Sequence, residues 1–409
     1  MTNDFLGFVF ALLIAQLVFV WANTFYKTYL VVILIGFSFR LFIIFIHEQT
    51  NLFGDYDIVD YLPDLIEFNE IWNSDLLGYI KPHVPFYSVL YPGWLFNALG
   101  ESGLWVIRVA NAAIGVATIA PLMWLNEIIF GKKLTQSQAL LLMLWPTWIR
   151  YTIEIGRTSV SVLAVLLSIS SLLAILNFMK NSNHLQSYIY TILLIFFASF
   201  LRIHYFAYFI PILSLAALSQ VSKLKISPYV RPILYFVSIV LIIVITSASL
   251  GIYQQLSQGN NSKDVLSSTE DTIAYIQLGE LGGSLYLEGI YPRNPVDWIW
   301  YLPLQGFYFM FSPMPWDIRT GFAAGSSVQA LIMFTLCFKA LREGWKNIKN
   351  NQVLNLLLIT VLFTTLAFGS VVKNAGSAER WRLPSTLILM MTTTSLLEIS
   401  KKSKVVKHS

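Results

Sequence analysis

The feature that most constrains this chain is its succession of apolar runs, each about 20 residues long, joined by short charged links. A run of that length is what a helix needs to cross the roughly 30 Å hydrocarbon layer of a bilayer. Such runs begin near Asp4, Thr28, Ser102, Gln136, Arg157, Tyr188, Ile203, Ile233, Gly321, Val353 and Pro384, about 11 in all. The expected fold is an all-α polytopic membrane protein. Composition agrees: charged residues are 12 % of the chain and hydrophobic ones 56 %, with a mean hydropathy of +0.64. A soluble domain carries roughly 25 % charge. Half of that cannot cover a water-soluble surface over 409 residues, which excludes a soluble enzyme, a disordered regulator and a nucleic-acid binder.

The net charge of +5 belongs to lysines and arginines in the links. One side collects Lys27, Lys132, Lys133, Lys180, Lys223, Lys225, Lys339, Arg342, Lys346 and Lys349. The other holds the acidic loop 48–101, with Glu48, Asp55, Asp57, Asp60, Asp64, Glu67, Glu70, Asp75 and Glu101 against a single Lys81. The positive-inside rule then predicts an extracytoplasmic N-terminus and a cytoplasmic C-terminus. Residues 1–400 read as one transmembrane domain with two large extracytoplasmic loops, 48–101 and 251–320, and 401–409 as a basic cytoplasmic tail. The run from Phe5 to Trp21 has no basic residue before it and no small-residue cleavage site, and is read as a retained span. The single cysteine, Cys337, excludes an intramolecular disulfide. Val296–Phe311 is rich in Trp and Tyr and contains Pro303, so it is expected to lie at the outer interface and not to cross. It leads into Pro313-Met314-Pro315-Trp316.

Charges near membrane depth are costly and point to function. The candidates are Arg40, Arg108, Arg150, Glu154, Arg157, Arg202, His204, Lys373, Glu379, Arg380 and Arg382. Most fall at predicted extracytoplasmic helix ends, where positive-inside bias disfavours them. Any one arginine could equally snorkel to headgroups. Taken together they form a basic patch suited to a lipid phosphate, which arginine binds as a planar, permanently charged fork. The acidic segment from Phe53 to Tyr61 supplies carboxylates for a general base or a cation site. Asp57 and Asp60 are three apart and share a face if this segment is helical. No Walker A, Gly-x-Ser-x-Gly, His-Glu-x-x-His or Gly-x-Gly-x-x-Gly motif is present, and no internal repeat is visible.

Taken in order, these pieces resemble the GT-C superfamily of polytopic glycosyltransferases, which includes protein O-mannosyltransferases, the lipid A aminoarabinose transferase and polysaccharide-locus enzymes. The resemblance runs from about Gly36 to Met391. It rests on Phe39-Arg40-Leu41 followed by Gly54-Asp55-Tyr56-Asp57-x-x-x-Tyr61, and on Leu104 to Gly115 with Arg108 and Asn111. It also rests on Pro146 to Ser159 with Gly156-Arg157-Thr158, on Leu201-Arg202-Ile203-His204-Tyr205, and on Asn374 to Pro384 with Arg380-Trp381-Arg382-Leu383-Pro384. Phe311-Ser312-Pro313-Met314-Pro315-Trp316 is similar to a Pro-Phe-Pro-Trp segment of polysaccharide-locus members.

The resemblance implies transfer of a sugar from a polyprenyl-phosphate donor to a glycan, lipid or protein acceptor on the extracytoplasmic side of a bacterial plasma membrane. It implies Asp57 as general base, with Asp55 as its support or the alternative base. It further implies Arg202, Arg380 and Arg382, with Arg157 and Lys373, as holders of the donor phosphate. Tyr61, His83, His204, Tyr205 and Trp316 are the candidate substrate contacts. The sequence assigns no definite cofactor and leaves metal dependence open; a divalent cation, if used, would sit on Asp55 and Asp57. Nucleic acid is not an expected partner. Two other readings share the outer arginines: a polymerase or ligase acting on polyprenyl-diphosphate oligosaccharides, and a non-enzymatic transporter of lipid-linked sugars, which should show symmetric halves.

Overall fold

A computed structural model of the chain describes residues 2–53, 56–74, 88, 90–178, 185–214, 286–287, 290, 292, 295–318, 321–372 and 374–408. Among these residues every regular element is helical. The helices are α1 (Thr2–Phe25), α2 (Leu30–Thr50), α3 (Tyr56–Ser74), α4 (Pro92–Leu99), α5 (Ser102–Ala117), α6 (Ile119–Phe130) and α7 (Gln136–Met143). They continue with α8 (Pro146–Ile153), α9 (Thr158–Phe178), α10 (Leu185–Leu201), α11 (Trp298–Phe311), α12 (Gly321–Asn350), α13 (Gln352–Gly369) and α14 (Ala375–His408).

Among the described residues, six helical stretches are long and apolar enough to cross a membrane: Asn3–Phe25, Lys27–Thr50, Ser102–Phe130, Thr158–Leu176, Ala323–Asn350 and Gln352–Gly369. They coincide with the runs expected near Asp4, Thr28, Ser102, Arg157, Gly321 and Val353. The run from Gln136 behaves differently. It is two helices of 8 residues each, α7 and α8, and neither alone spans a bilayer. The break is local chemistry: Pro146 cannot donate to the turn before it, and Trp145 is pushed to an extended conformation at φ −61°, ψ 119°. The run from Tyr188 is the 17-residue α10. The one from Ile203 is described only to residue 214, and the one from Ile233 lies outside the described residues. The last helix begins at Ala375, so Pro384 sits inside it and not at its start. α14 is not among the six, because Thr392, Thr393, Thr394, Ser395 and Glu398 interrupt its apolar run.

α11 has 14 residues, about 21 Å at 1.5 Å per residue, too short to cross. α3 and α4 both fall in the acidic stretch 48–101, so that stretch is not an open loop but carries helices.

The chain divides into two compact units. The first comprises Met1–Met123 and Leu134–Leu166. Here α5 is central, packing on α1, α2, α4 and α8. Its buried face carries Val106, Ile107, Val109, Ala112 and Val116, with Arg108 and Asn111 among them. Gly115 allows α8 to approach, since a Cβ there would lie 2.4 Å from Thr152. The outer face of α1 shows Phe5, Phe8, Leu12, Leu17 and Phe19, as a lipid-facing helix should.

The second unit comprises Trp124–Lys133 and Leu167–Ser409. In it α14 packs on α11, α12 and α13, and α11 on α13. α11 and α13 meet through glycine: a Cβ on Gly369 would lie 3.0 Å from the Gln305 carbonyl, and one on Gly306 would lie 2.9 Å from Leu366. Small residues at such crossings let backbones approach in the absence of a hydrophobic drive within lipid. At the far end of α14, Ser395 donates to Asn126 at 2.7 Å, and Lys132 pairs with Glu398 at 3.2 Å.

The glycine crossing makes a signed prediction. Gly369→Val should lower the stability of the detergent-solubilised protein by about 1–3 kcal/mol through overpacking. Gly325→Ala on α12, where nothing lies within 4 Å, should be neutral or stabilise by up to about 1 kcal/mol. Thermal loss of monodisperse protein checks both, and equal behaviour of the two variants would contradict the packing account.

Candidate functional site

In the first unit the predicted motifs meet on residues 150–159, where α8 ends and α9 begins. This turn is an interruption at an apolar depth, so its carbonyls need donors. Asn111 supplies them. Its Nδ2 donates to the Glu154 carbonyl at 2.6 Å and to that of Gly156 at 3.3 Å. Its Oδ1 accepts from the Tyr91 hydroxyl and, at 2.8 Å, from Ser159 Oγ. Arg108 Nη1 donates to the Ile153 carbonyl at 3.3 Å, and its Nε lies 3.1 Å from Glu48. Arg40, with no exposed surface, braces the same helix: its Nε donates to Thr152 Oγ1 at 2.8 Å and its Nη1 to the Gly36 carbonyl at 2.9 Å.

The acidic segment is attached to this turn at both flanks. On one side Phe53 lies 5.9 Å from the Arg150 guanidinium, and its N–H donates to His47 Nδ1 at 3.4 Å. On the other, the Tyr61 ring packs against Gly156, where a Cβ would be 2.6 Å from it. Asp57 stands between these two fixed points, in the first turn of α3. Helicity there gives Asp57 and Tyr61 the i, i+4 relation. Glu154 is buried and lies 3.7 Å from Arg150. Arg157 follows, half-buried, with an Nε out of water and without a hydrogen-bond partner.

In the second unit the other motifs meet. Leu201 ends α10; Arg202 is extended, at φ −152°, ψ 104°; and Ile203–Tyr208 form a 3₁₀ turn. This turn lies on the first helical turns of α14. Pro384 has no N–H to offer the Arg380 carbonyl, and the Tyr205 hydroxyl donates to that carbonyl at 3.5 Å. Tyr208 shares a face with Tyr205 because 3₁₀ residues three apart eclipse. Its hydroxyl lies 2.9 Å from Ser385 Oγ and 3.4 Å from the Trp381 carbonyl. The His204 ring stacks on Trp381 at 3.9 Å and 9° and meets Phe368 edge-on at 5.7 Å. The buried Arg202 guanidinium stands 5.8 Å from the Tyr205 ring. Tyr205 therefore joins Arg202 to the Arg380 backbone.

Arg382 is engaged differently. Its Nη1 donates to the Phe309 carbonyl at 2.6 Å and its Nη2 to the Ser312 carbonyl at 2.5 Å. Glu379 lies 3.9 Å away. The fork closes the C-terminus of α11, whose last carbonyls have no intrahelical donors. Trp316 lies in the 3₁₀ turn after α11 and is exposed. Burial pushes the nearby Tyr286 phenol above its ordinary value, which keeps it a donor to the Val372 carbonyl.

Asp55, His83 and Lys373 lie outside the described residues, as does the side chain of Asp57. Among the described residues no three His, Cys, Asp or Glu side chains gather as a metal site. Tyr208, Phe368 and Thr152 were not singled out from sequence, and Trp381 entered only as part of the Arg380–Pro384 motif. Tyr208 could have been, from its i, i+3 spacing to Tyr205.

Asn111→Ala should destabilise the protein by roughly 1–3 kcal/mol for each carbonyl left buried without a donor. Arg382→Lys, which cannot reproduce a two-armed contact, should free the α11 end and increase proteolysis near Ser312. Thermal stability and cleavage mapping check the pair; wild-type behaviour in both would mean these groups are not needed to close the chain ends. No family model, no curated protein and no solved structure matches the chain.

Proposed function

We propose that this chain is a membrane glycosyltransferase of GT-C type that moves a sugar from a polyprenyl-phosphate donor to an acceptor on the extracytoplasmic side of a bacterial plasma membrane. The observation that carries the reading is the junction in the second unit. There the buried Arg202 guanidinium and the Arg380 backbone carbonyl, 178 residues apart in sequence, meet the same side chain, Tyr205. A permanent cation beside an aromatic ring, with a second arginine on the backbone which that ring's hydroxyl meets, suits a phosphate carried on an isoprenoid tail.

In the reaction an acceptor hydroxyl attacks the anomeric carbon, and the bond from that carbon to the phosphate oxygen breaks. The electron pair of that bond stays with the polyprenyl phosphate. The hydroxyl proton goes to the Asp57 carboxylate, acting as general base. Arg202 and Arg380 stabilise the charge that grows on the leaving phosphate, the larger electrostatic contribution in such sites. Arg157 serves the first unit in the same sense. Arg382 is a positioning residue, since its fork is occupied by the end of α11. Asp55, Lys373 and His83 keep their sequence-derived roles as support, phosphate contact and substrate contact.

The reading predicts that Asp57→Asn abolishes sugar transfer while the protein stays folded. It also predicts that lipid extracts of the wild type contain a polyprenyl monophosphate, with or without one sugar, and that Arg202→Ala or Arg380→Ala loses it. Mass spectrometry of copurified lipids checks the second point. A diphosphate-linked oligosaccharide would instead assign the chain to polymerisation or ligation. Bulk phospholipid unchanged by the mutations would overturn the phosphate site.

A further inference from the structure

Trp316 is 72 % exposed, yet it is held in place. Its Nε1 donates to the Tyr308 hydroxyl at 3.0 Å. Tyr308 stacks on Tyr286 at 5.7 Å and 28°. The turn that carries Trp316 is closed by the Met314 N–H on Asp317 Oδ2 at 3.2 Å and by the Asp317 N–H on the Met314 carbonyl at 2.9 Å. Arg382 holds the Ser312 carbonyl just before it. A large ring has been fixed in the open, at a cost in side-chain freedom and in exposed apolar area.

The bland explanation is an aromatic-belt tryptophan at the bilayer boundary. Such a residue uses its apolar body in lipid and its N–H for headgroups and water. Here the N–H is spent on Tyr308 and not offered to headgroups, while most of the residue stays open to solvent. Asp317 stands next to it, and a carboxylate is expensive in hydrocarbon. The turn therefore belongs on the aqueous side of the interface. A flat apolar face beside a carboxylate matches a pyranose ring, whose C–H face is apolar and whose rim is a ring of hydroxyl donors.

We propose that Trp316 is a stacking platform for a pyranose ring, with Tyr308 fixing the indole and Asp317 accepting a sugar hydroxyl. The sugar is either the acceptor's or the one on the lipid-linked donor. That choice rests on the glycosyltransferase reading; the platform itself does not.

The test is ¹⁹F NMR of the full chain in nanodiscs, labelled with 5-fluorotryptophan. The chain has 12 tryptophans, and the Trp316 resonance is assigned from its loss in Trp316→Phe. The probes are maltotetraose, cellotetraose, mannotetraose and chitotetraose, each in millimolar titration with sorbitol as control, and a short-chain polyprenyl-phosphate glucose. The Trp316 signal should shift with at least one sugar and not with sorbitol. Tyr308→Phe and Asp317→Asn should each weaken the apparent affinity roughly two- to tenfold, the loss of one hydrogen bond. A shift with tetrasaccharides identifies an acceptor platform, and a shift only with the lipid-linked sugar a donor platform. No shift with any sugar overturns the proposal, whether or not spin-labelled phospholipid broadens the signal; broadening would identify a belt residue. A sugar shift in a protein with no transfer activity would sink the enzyme reading and leave the platform. Transfer without any sugar-induced shift would do the reverse.

Discussion

Every interruption of an apolar helix leaves carbonyls that water cannot reach, and this requirement organises the protein. In hydrocarbon an unsatisfied peptide group costs several kcal/mol, so irregular backbone survives only where the protein supplies donors. At the α8–α9 turn the donors are Asn111 and Arg108. At Pro384 they are the hydroxyls of Tyr205 and Tyr208. At the end of α11 the donor is Arg382. Each break would otherwise be a defect, and each is instead a point where two distant stretches of chain are tied together.

The same requirement sorts the arginines. Arg40, Arg108 and Arg382 direct guanidinium N–H groups at carbonyls or at a hydroxyl, so their presence at depth has a structural account. Arginine suits this because its charge persists on burial and its planar fork can reach two acceptors together. Arg202 and Arg157 stand at chain breaks, the one in extended backbone after α10 and the other in the turn before α9. Charge in an apolar stretch is therefore a weak signal of function until its partners are known.

The long spans were legible in the sequence because apolar composition over about 20 residues is a local property. That 296–311 does not make a full-length span was also expected, from its tryptophans, tyrosines and Pro303, and α11 has 14 residues. The break at Pro146 was not, although the proline was visible, because composition over the run from Gln136 averages across it. The start of α14 was misplaced at Pro384, since a proline ten residues into a helix looks like a beginning. The contacts that build the candidate site were hidden for a different reason. Arg382 reaches Ser312, 70 residues upstream, and Tyr205 reaches Arg380, 175 residues downstream. Spacing within a motif carries no information about such partners. The convergence of Arg40, Arg108, Asn111 and the segment after Pro146 on one turn was likewise invisible as geometry, although each piece was singled out.

The backbone around Asp57 is tied down by ring contacts on either side of it in sequence. Phe53 packs beside Arg150, and Tyr61 packs on Gly156. Between them the backbone is helical from Tyr56, so its dihedrals are set before any substrate arrives. A base carried on an open acidic loop would have to be ordered at the moment of reaction, at about 1–2 kcal/mol per residue fixed. On the proposed glycosyltransferase reading, a base carried on a helix with packed neighbours before and after it in the chain avoids that cost. The ring contacts, and the glycine that admits one of them, are thus as much a part of the candidate site as the carboxylate. At position 156 even a methyl group would lie 2.6 Å from the Tyr61 ring, so that ring would have to move.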